Sequence, residues 1–154
     1  MARFYGKASA KVDDKGRIVF PAAFRAALDR SGESGTTLII KKSVHGACLD
    51  LYSLEEWVKR SDRIAEGLDT ELNPSHAAFW EKYNEDVYEI VLDGKLGRIN
   101  IPEDLLKAAG IRKEVTFAGV GHKIELWDKE RRESALLDDE TFRKIAAELS
   151  SRQR

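Results

Sequence analysis

A chain of 154 residues that is 42% hydrophobic, with three Trp, six Phe and four Tyr, can bury a core without metal or disulfide staples, so a disordered class is excluded. The lone Cys48 cannot form an internal disulfide, and no charged-then-apolar leader or run of 18 apolar residues occurs, so a cytosolic protein with no membrane partner is expected. A net charge of -1 conceals a dipole: residues 1–30 hold seven Lys or Arg against three acids, whereas residues 54–92 hold ten acids against four bases.

The first predicted element is a strand ending at Val12, a turn through Asp13-Asp14-Lys15-Gly16, and a second strand from Arg17 in which Ile18 and Phe20 alternate. This reads as a hairpin, with Gly16 supplying the positive φ that tight turns need. Pro21 fits the first position of a helix, where a missing N–H costs nothing, and Phe24, Ala27 and Leu28 share its inner face. Strands are expected over Thr37–Ile40 and Leu49–Tyr52, with His45-Gly46 turning between them and Cys48 as a small buried thiol rather than a nucleophile. Ser53-Leu54-Glu55-Glu56 is a capping box opening a helix to about Leu68, with Trp57, Ile64 and Leu68 on one side. A second helix from Asn73-Pro74 carries Phe79, Trp80, Tyr83 and Val87, and passes into a strand from Tyr88 to Leu92.

The pattern then starts again. Val12-Asp13-Asp14-Lys15-Gly16-Arg17-Ile18-Val19-Phe20-Pro21 is echoed by Leu92-Asp93-Gly94-Lys95-Leu96-Gly97-Arg98-Ile99-Asn100-Ile101-Pro102, with Leu96 the one extra residue. Pro102, Glu103 and Asp104 suit a helix start, Leu105, Leu106 and Ala109 its inner face, and Gly110 its stop. Strands follow at Glu114–Phe117 and Ile124–Trp127, with Gly121-His122 in a turn. The same succession of elements twice over implies duplication: repeats at residues 1–57 and 87–132, a helical insert at 58–86, and a tail at 133–154. In the tail, Phe142, Ile145, Ala146 and Leu149 line one face of a helix from Asp139 to Leu149, expected to pack on its own chain in preference to a neighbour, before Ser150–Arg154 fray.

Catalysis finds no support. His45, His76 and His122 stand apart, with no ligand spacing for a metal, and Gly119-Val120-Gly121 lies between strands, where no helix start supplies a phosphate cradle. No enzyme, cofactor or small-molecule substrate is expected. The repeated turn has chemistry of a different kind. Arg17 and Arg98 offer planar forks that match phosphate or guanine O6 and N7, and Lys11, Lys15 and Lys95 suit phosphate neutralisation. Gly16 and Gly97 leave room for close backbone approach, while Asp13 and Asp93 orient the arginines or accept backbone N–H bonds. A salt bridge holding the hairpin shut is the alternative for Asp-x-x-x-Arg alone; the longer string ending in Pro, present twice, is more specific and points to double-stranded DNA.

These residues carry a resemblance over nearly the whole chain. Asp13 to Arg17 with Pro21, Cys48 to Trp57, and Asp93 to Pro102 followed by Ile124-Glu125-Leu126-Trp127-Asp128 resemble the MraZ family of bacterial transcriptional regulators of the division and cell-wall gene cluster, related to AbrB-like swapped-hairpin proteins. The resemblance implies an α+β, β-rich fold: a double-split β-barrel of two tandem AbrB-like repeats with flanking helices. It also implies a nucleoid-associated homo-oligomeric ring that binds promoter repeats through an Asp-x-x-x-Arg signature in each half. Asp13 and Arg17 match at the family's spacing; Asp93 and Arg98 stand five apart, so Leu96 either bulges the turn or shifts the guanidinium. Head-to-tail contacts closing a ring would repeat the Arg turns in one orientation, matching direct repeats, and occupancy of a promoter would repress. The competing reading, motivated by the acidic middle, is a non-enzymatic adaptor whose hairpins grip proteins; steep salt dependence separates DNA binding from it.

Overall fold

The computed structural model describes residues 2–32 and 37–153. In the first half lie β1 (Lys7–Lys11), β2 (Arg17–Val19), α1 (Ala22–Arg30), β3 (Thr37–Lys42), β4 (Leu49–Ser53), α2 (Leu54–Glu66) and α3 (Pro74–Glu85). In the second half lie β5 (Tyr88–Val91), β6 (Arg98–Asn100), α4 (Glu103–Ala108), β7 (Glu114–Gly119), β8 (Ile124–Asp128), α5 (Lys129–Ala135) and α6 (Asp139–Arg152).

The local pairs β3–β4 and β7–β8 form antiparallel ladders as expected, but the two predicted hairpins do not. Each keeps a single closing rung, Asp13 N–H to the Arg17 carbonyl at 3.0 Å and Asp93 N–H to the Arg98 carbonyl at 2.9 Å. Beyond that rung the strands part: β1 pairs with β7, β5 with β3, and β2 with β6. Alternation had fixed which face of each strand is apolar, and that property is indifferent to which strand lies alongside.

Exchange of strands yields a six-stranded antiparallel sheet in the order β1-β7-β8-β4-β3-β5, and a separate ribbon of β2 and β6. Under the repeat alignment this order is symmetric, since each half donates its first strand to the edge of the other half's pair. The protein is therefore α+β, but the expected barrel is not seen to close. Among the described residues the six-stranded ladder ends at β1 and β5, and no ladder joins it to the ribbon.

The larger of two hydrophobic clusters among the described residues lies between sheet and ribbon. Ile18 and Ile99, opposite each other on the ribbon, are both 1% exposed and share this core with Phe20, Phe117 and Leu126. Phe24 and Leu28 of α1, with Leu105 and Leu106 of α4, are buried there as predicted. Another cluster, Ile39, Tyr52 and Trp57 with Tyr83 and Val87, seats the α2–α3 insert. Trp57 and Tyr83 stack at 6.0 Å between ring centroids.

Helix ends follow local chemistry. Ser53 Oγ accepts the Glu56 N–H at 3.2 Å, and Asn73 Oδ1 accepts the N–H groups of Ser75 and His76. Gly110, at φ 66°, ends α4 with its N–H on the Lys107 carbonyl. Pro21 and Pro102 stand one residue earlier than expected, at the cap itself, with extended ψ of 133° and 136°. Their fixed φ serves either position, while the preceding strand demands extended ψ.

The tail differs more. The unforeseen α5 packs on β7 and β8, after which extended backbone at Leu136 leads α6 away. No residue of α6 is buried: Phe142 is 63% exposed, so the helix does not pack on its own body as expected, and it continues to Arg152 where fraying was predicted. An apolar stripe shows that a helix has a face to bury, and nothing in its period names the partner.

Candidate functional site

The ribbon's register decides where the candidate residues point. Arg17 opposes Asn100, Ile18 opposes Ile99, and Val19 opposes Arg98. Side chains alternate along a strand and opposed residues share a face, so with both isoleucines inward the other four face outward. Arg17, Val19, Arg98 and Asn100 thus form one patch, with the two arginines on a diagonal, a separation within reach of long side chains. Their side chains are 35% and 29% exposed, Val19 is 58% exposed, and Asn100 is exposed.

A turn projects from each end of this ribbon. In turn 1, Asp13 Oδ1 accepts the backbone N–H groups of Lys15 and Arg17, both at 2.9 Å, while Oδ2 accepts Arg17 Nε at 2.7 Å. Asp13 therefore bonds both to backbone N–H groups of the turn and to the arginine, and a fork held at Nε keeps its two terminal nitrogens for another partner. The Arg17 backbone N–H first, then its side chain and the Lys15 N–H, hold the Asp13 carboxyl below the ordinary carboxylate range.

Turn 2 absorbs its extra residue without displacing Arg98 from the ribbon. Gly16 N–H bonds back three residues to the Asp13 carbonyl, whereas Gly97 N–H bonds back four residues to that of Asp93. Leu96 is thus a loop insertion, and Arg98 holds the register equivalent to Arg17. Its side chain is held more loosely: Asp93 Oδ2 lies 4.0 Å from Arg98 Nη2, and Arg98 Nε is buried with no partner among the described residues. Asp93 is likewise held below the ordinary range, chiefly by the Lys95 N–H, then by Leu96, Arg98 and Arg25.

Each turn is supported by the opposite half. Ile101 N–H donates to the Gly16 carbonyl at 3.0 Å and Phe20 N–H to the Gly97 carbonyl at 2.7 Å. Gly16 and Gly97 have φ of 78° and 65°, the left-handed region expected of them. A Cβ on Gly16 would meet the Ile101 carbonyl at 3.0 Å, and one on Gly97 would meet Arg25 Nη1 at 3.1 Å.

Lys15 and Lys95 are exposed on the turns. Lys11, on the edge strand β1, opposes Glu114 and lines a groove with Arg112, Lys113, Lys129 and Arg131. Three kinds of residue escaped sequence reading. Asn100 belongs to the patch only through strand pairing, Arg25 meets turn 2 from α1, and Val12 N–H bonding to the Lys113 carbonyl at 2.8 Å brings Arg112 and Lys113 beside turn 1. Only the adjacent basic pair Arg112-Lys113 carried any signal, and it pointed to no location.

Among the described residues the histidines and Cys48 have contacts of other kinds, His45 through its backbone alone. His76 Nδ1 accepts the Asp69 N–H at 2.9 Å, His122 rests near the Tyr52 ring, and the His45 N–H donates to Ser43 Oγ. Cys48, 1% exposed, has its thiol pushed up to about 12 by burial first and then by Glu125 and Asp50. Cys48, Asp50 and Glu125 present donor atoms within 4.8 Å of one another, but the Lys123 ammonium lies 3.0 Å from Asp50 Oδ1 and 3.8 Å from Glu125. The Lys123–Asp50 contact is an ion contact without hydrogen-bond geometry, and it supplies the positive charge a cation would bring. Among the described residues, no helix is long and apolar enough to cross a membrane.

Fold and site together define a duplicated, strand-exchanged α+β protein that turns a small cationic ribbon outward. The family model described as "MraZ protein, putative antitoxin-like" matches residues 4–73 and 85–153. Over 154 residues the chain is 38% identical to "Transcriptional regulator MraZ" of Bacteroides fragilis, covering 100% of this chain and 95% of that protein. Proteins of the same name from Bacteroides thetaiotaomicron and Treponema denticola are 35% and 36% identical, over 92% and 89% of this chain and 88% and 90% of theirs. The chain belongs to the MraZ family.

Proposed function

We propose that this protein is a sequence-specific, non-enzymatic DNA-binding regulator of transcription, and that the β2–β6 ribbon is the element that reads DNA. One observation carries the reading: Arg17 and Arg98, one from each half, share the outward face of a two-stranded ribbon whose inward face is sealed by Ile18 and Ile99. A two-stranded ribbon fits the major groove, where Arg pairs with guanine and Asn with adenine through two bonds each. Arg17 and Arg98 are assigned to bases, with Asn100 beside them, and Lys11, Lys15 and Lys95 to phosphates. Asp13, Gly16, Asp93 and Gly97 set the turns. The relatives' printed name, transcriptional regulator, supports the same reading.

The finer parts of the proposal follow from the family resemblance and the architecture. Residues 1–57 and 87–132 act as paired repeats of a split barrel, 58–86 as an insert, and 133–154 as a tail. Copies of the chain join head to tail into a ring, placed on direct promoter repeats of the division and cell-wall cluster in the cytoplasm and nucleoid, where it represses by excluding polymerase. Support for self-association comes from the exposed Phe142, Ile145 and Leu149 on α6, whose stripe has no cover among the described residues.

The test is a mobility-shift titration with the DNA upstream of the chain's own gene. Wild-type binding should weaken steeply between 50 and 200 mM salt. Arg17→Ala should remove specific binding, each lost Arg–guanine pair costing about 1–3 kcal/mol, and should leave thermal unfolding nearly unchanged, since a solvent-screened surface ion pair adds little to stability. Intact binding with a large fall in melting temperature would return the Asp13–Arg17 pair to a purely structural role.

A further inference from the structure

Turn 2 is the longer of the two, and its aspartate side chain holds it less tightly. Asp13 clamps Arg17 at 2.7 Å, whereas Asp93 stands 4.0 Å from Arg98, and its bond to the Leu96 N–H is stretched to 3.5 Å. Arg98 Nε, buried and unpartnered, adds nothing to hold its own side chain. A loop with an extra residue and weaker side-chain bonds has more conformations to lose when it meets a ligand.

The compensating contact comes from the first half. Arg25 on α1 donates from Nη2 to the Gly94 carbonyl at 3.2 Å, and its Nη1 lies 3.1 Å from the Cβ position of Gly97. The guanidinium therefore bonds to Gly94 and fills the space beside Gly97, the two glycines that flank Lys95-Leu96. Turn 1 has a different support. Arg25 follows Pro21 by four residues, and the residue four after Pro102 is Leu106, whose Cδ1 packs 3.6 Å from the Cβ position of Gly16. Equivalent positions of the two repeats buttress opposite turns, one with a methyl group and one with a cation.

We propose that Arg25 is a positioning residue for Arg98: it fastens turn 2 so that Arg98 presents its guanidinium on the ribbon face as Arg17 does. The proposal rests on the reading of that face as the DNA-contacting surface. A cation suits this site and an alkyl chain does not, because the longer turn exposes the Gly94 carbonyl as an acceptor, and the Asp93 carboxylate lies close by. The consequence is an asymmetry within the pseudo-symmetric site, with Arg17 held by its own aspartate and Arg98 by the partner half.

A double-mutant cycle tests it, with the upstream duplex at 50 mM salt so that residual binding stays measurable. Arg25→Leu should weaken binding roughly tenfold in the wild-type background and less than about twofold once Arg98→Ala is present, while Arg25→Lys, which can still donate to Gly94, should recover most of the loss. Hydrogen exchange on the DNA-free protein gives an independent readout. In Arg25→Leu the Lys95 and Gly97 amides should exchange about tenfold faster, with the Lys15 and Arg17 amides unchanged. An equal loss of binding in both backgrounds, wild-type exchange in turn 2, or a uniform rise in both turns would overturn the proposal. Should wild type bind no DNA at all, the functional reading fails, and the exchange comparison alone decides whether Arg25 fixes turn 2.

Discussion

At the residue scale the two aspartates of the turns repay closest attention, because the same carboxylates close a turn and hold an arginine. Asp13 is depressed first by the Arg17 backbone N–H and only then by the Arg17 side chain. Its titration by NMR should therefore fall below the ordinary aspartate range in wild type. In Arg17→Ala the midpoint should rise but stay depressed, since the backbone donor survives. A carboxylate whose folded pKa is lowered contributes stability that is fully present above its unfolded value, near 3.8, and lost as pH falls through the folded one. Asp13 and Asp93 thus place the loosening of both turns below pH 4, outside the physiological range. A midpoint in Arg17→Ala at the ordinary aspartate value would show that the side chain, not the backbone, governs the site.

At the element scale the edge of the sheet depends on close backbone approach. Gly119 ends β7, and a Cβ there would lie 2.5 Å from the Phe4 carbonyl carbon and 2.6 Å from the Tyr5 nitrogen. That contact passes the N-terminal segment over the sheet end, where Gly119 N–H bonds to the Gly6 carbonyl and Phe4 and Gly121 exchange bonds at 2.8 Å. Backbone atoms cannot swing aside as a flexible side chain does. Gly119→Ala should cost about 1–3 kcal/mol in denaturant unfolding and release the buried Phe4 ring from its edge-to-face contact with Phe24. An unchanged unfolding midpoint would mean the segment re-routes freely.

At the scale of the whole molecule, strand exchange makes the halves interdependent. In the first half β1 has its partner in β7, β2 in β6, and β3 takes β5 on its outer edge, so every ladder except β3–β4 needs the second half. The inward faces of Ile18 and Ile99 close over each other from different halves. Residues 1–86 alone should consequently yield no folded monomer, only an unfolded chain or a self-paired dimer in which a second copy supplies the missing strands. Circular dichroism with sedimentation would distinguish these, and a cooperatively folded monomer would contradict the exchanged topology.

Sequence by itself determined what depends on neighbours along the chain. It fixed the positive-φ glycines at 16 and 97, the Ser53 and Asn73 caps, the buried faces of α1 and α4, the duplicated turn, and the arginines offered by it. These properties arise from φ preferences, hydrogen bonds spanning two to four residues, and a period of 2 or 3.6, all readable without a partner. Tertiary structure alone decided which strands meet. It turned two expected hairpins into one ribbon and two exchanged edges, set Asn100 beside Arg17, and carried Arg25 to a turn 69 residues away. It also left α6 unpacked where its stripe suggested burial. Alternating hydrophobicity says which side of a strand faces oil and stays silent on the strand beside it, because a ladder hydrogen bond is the same between any two backbones.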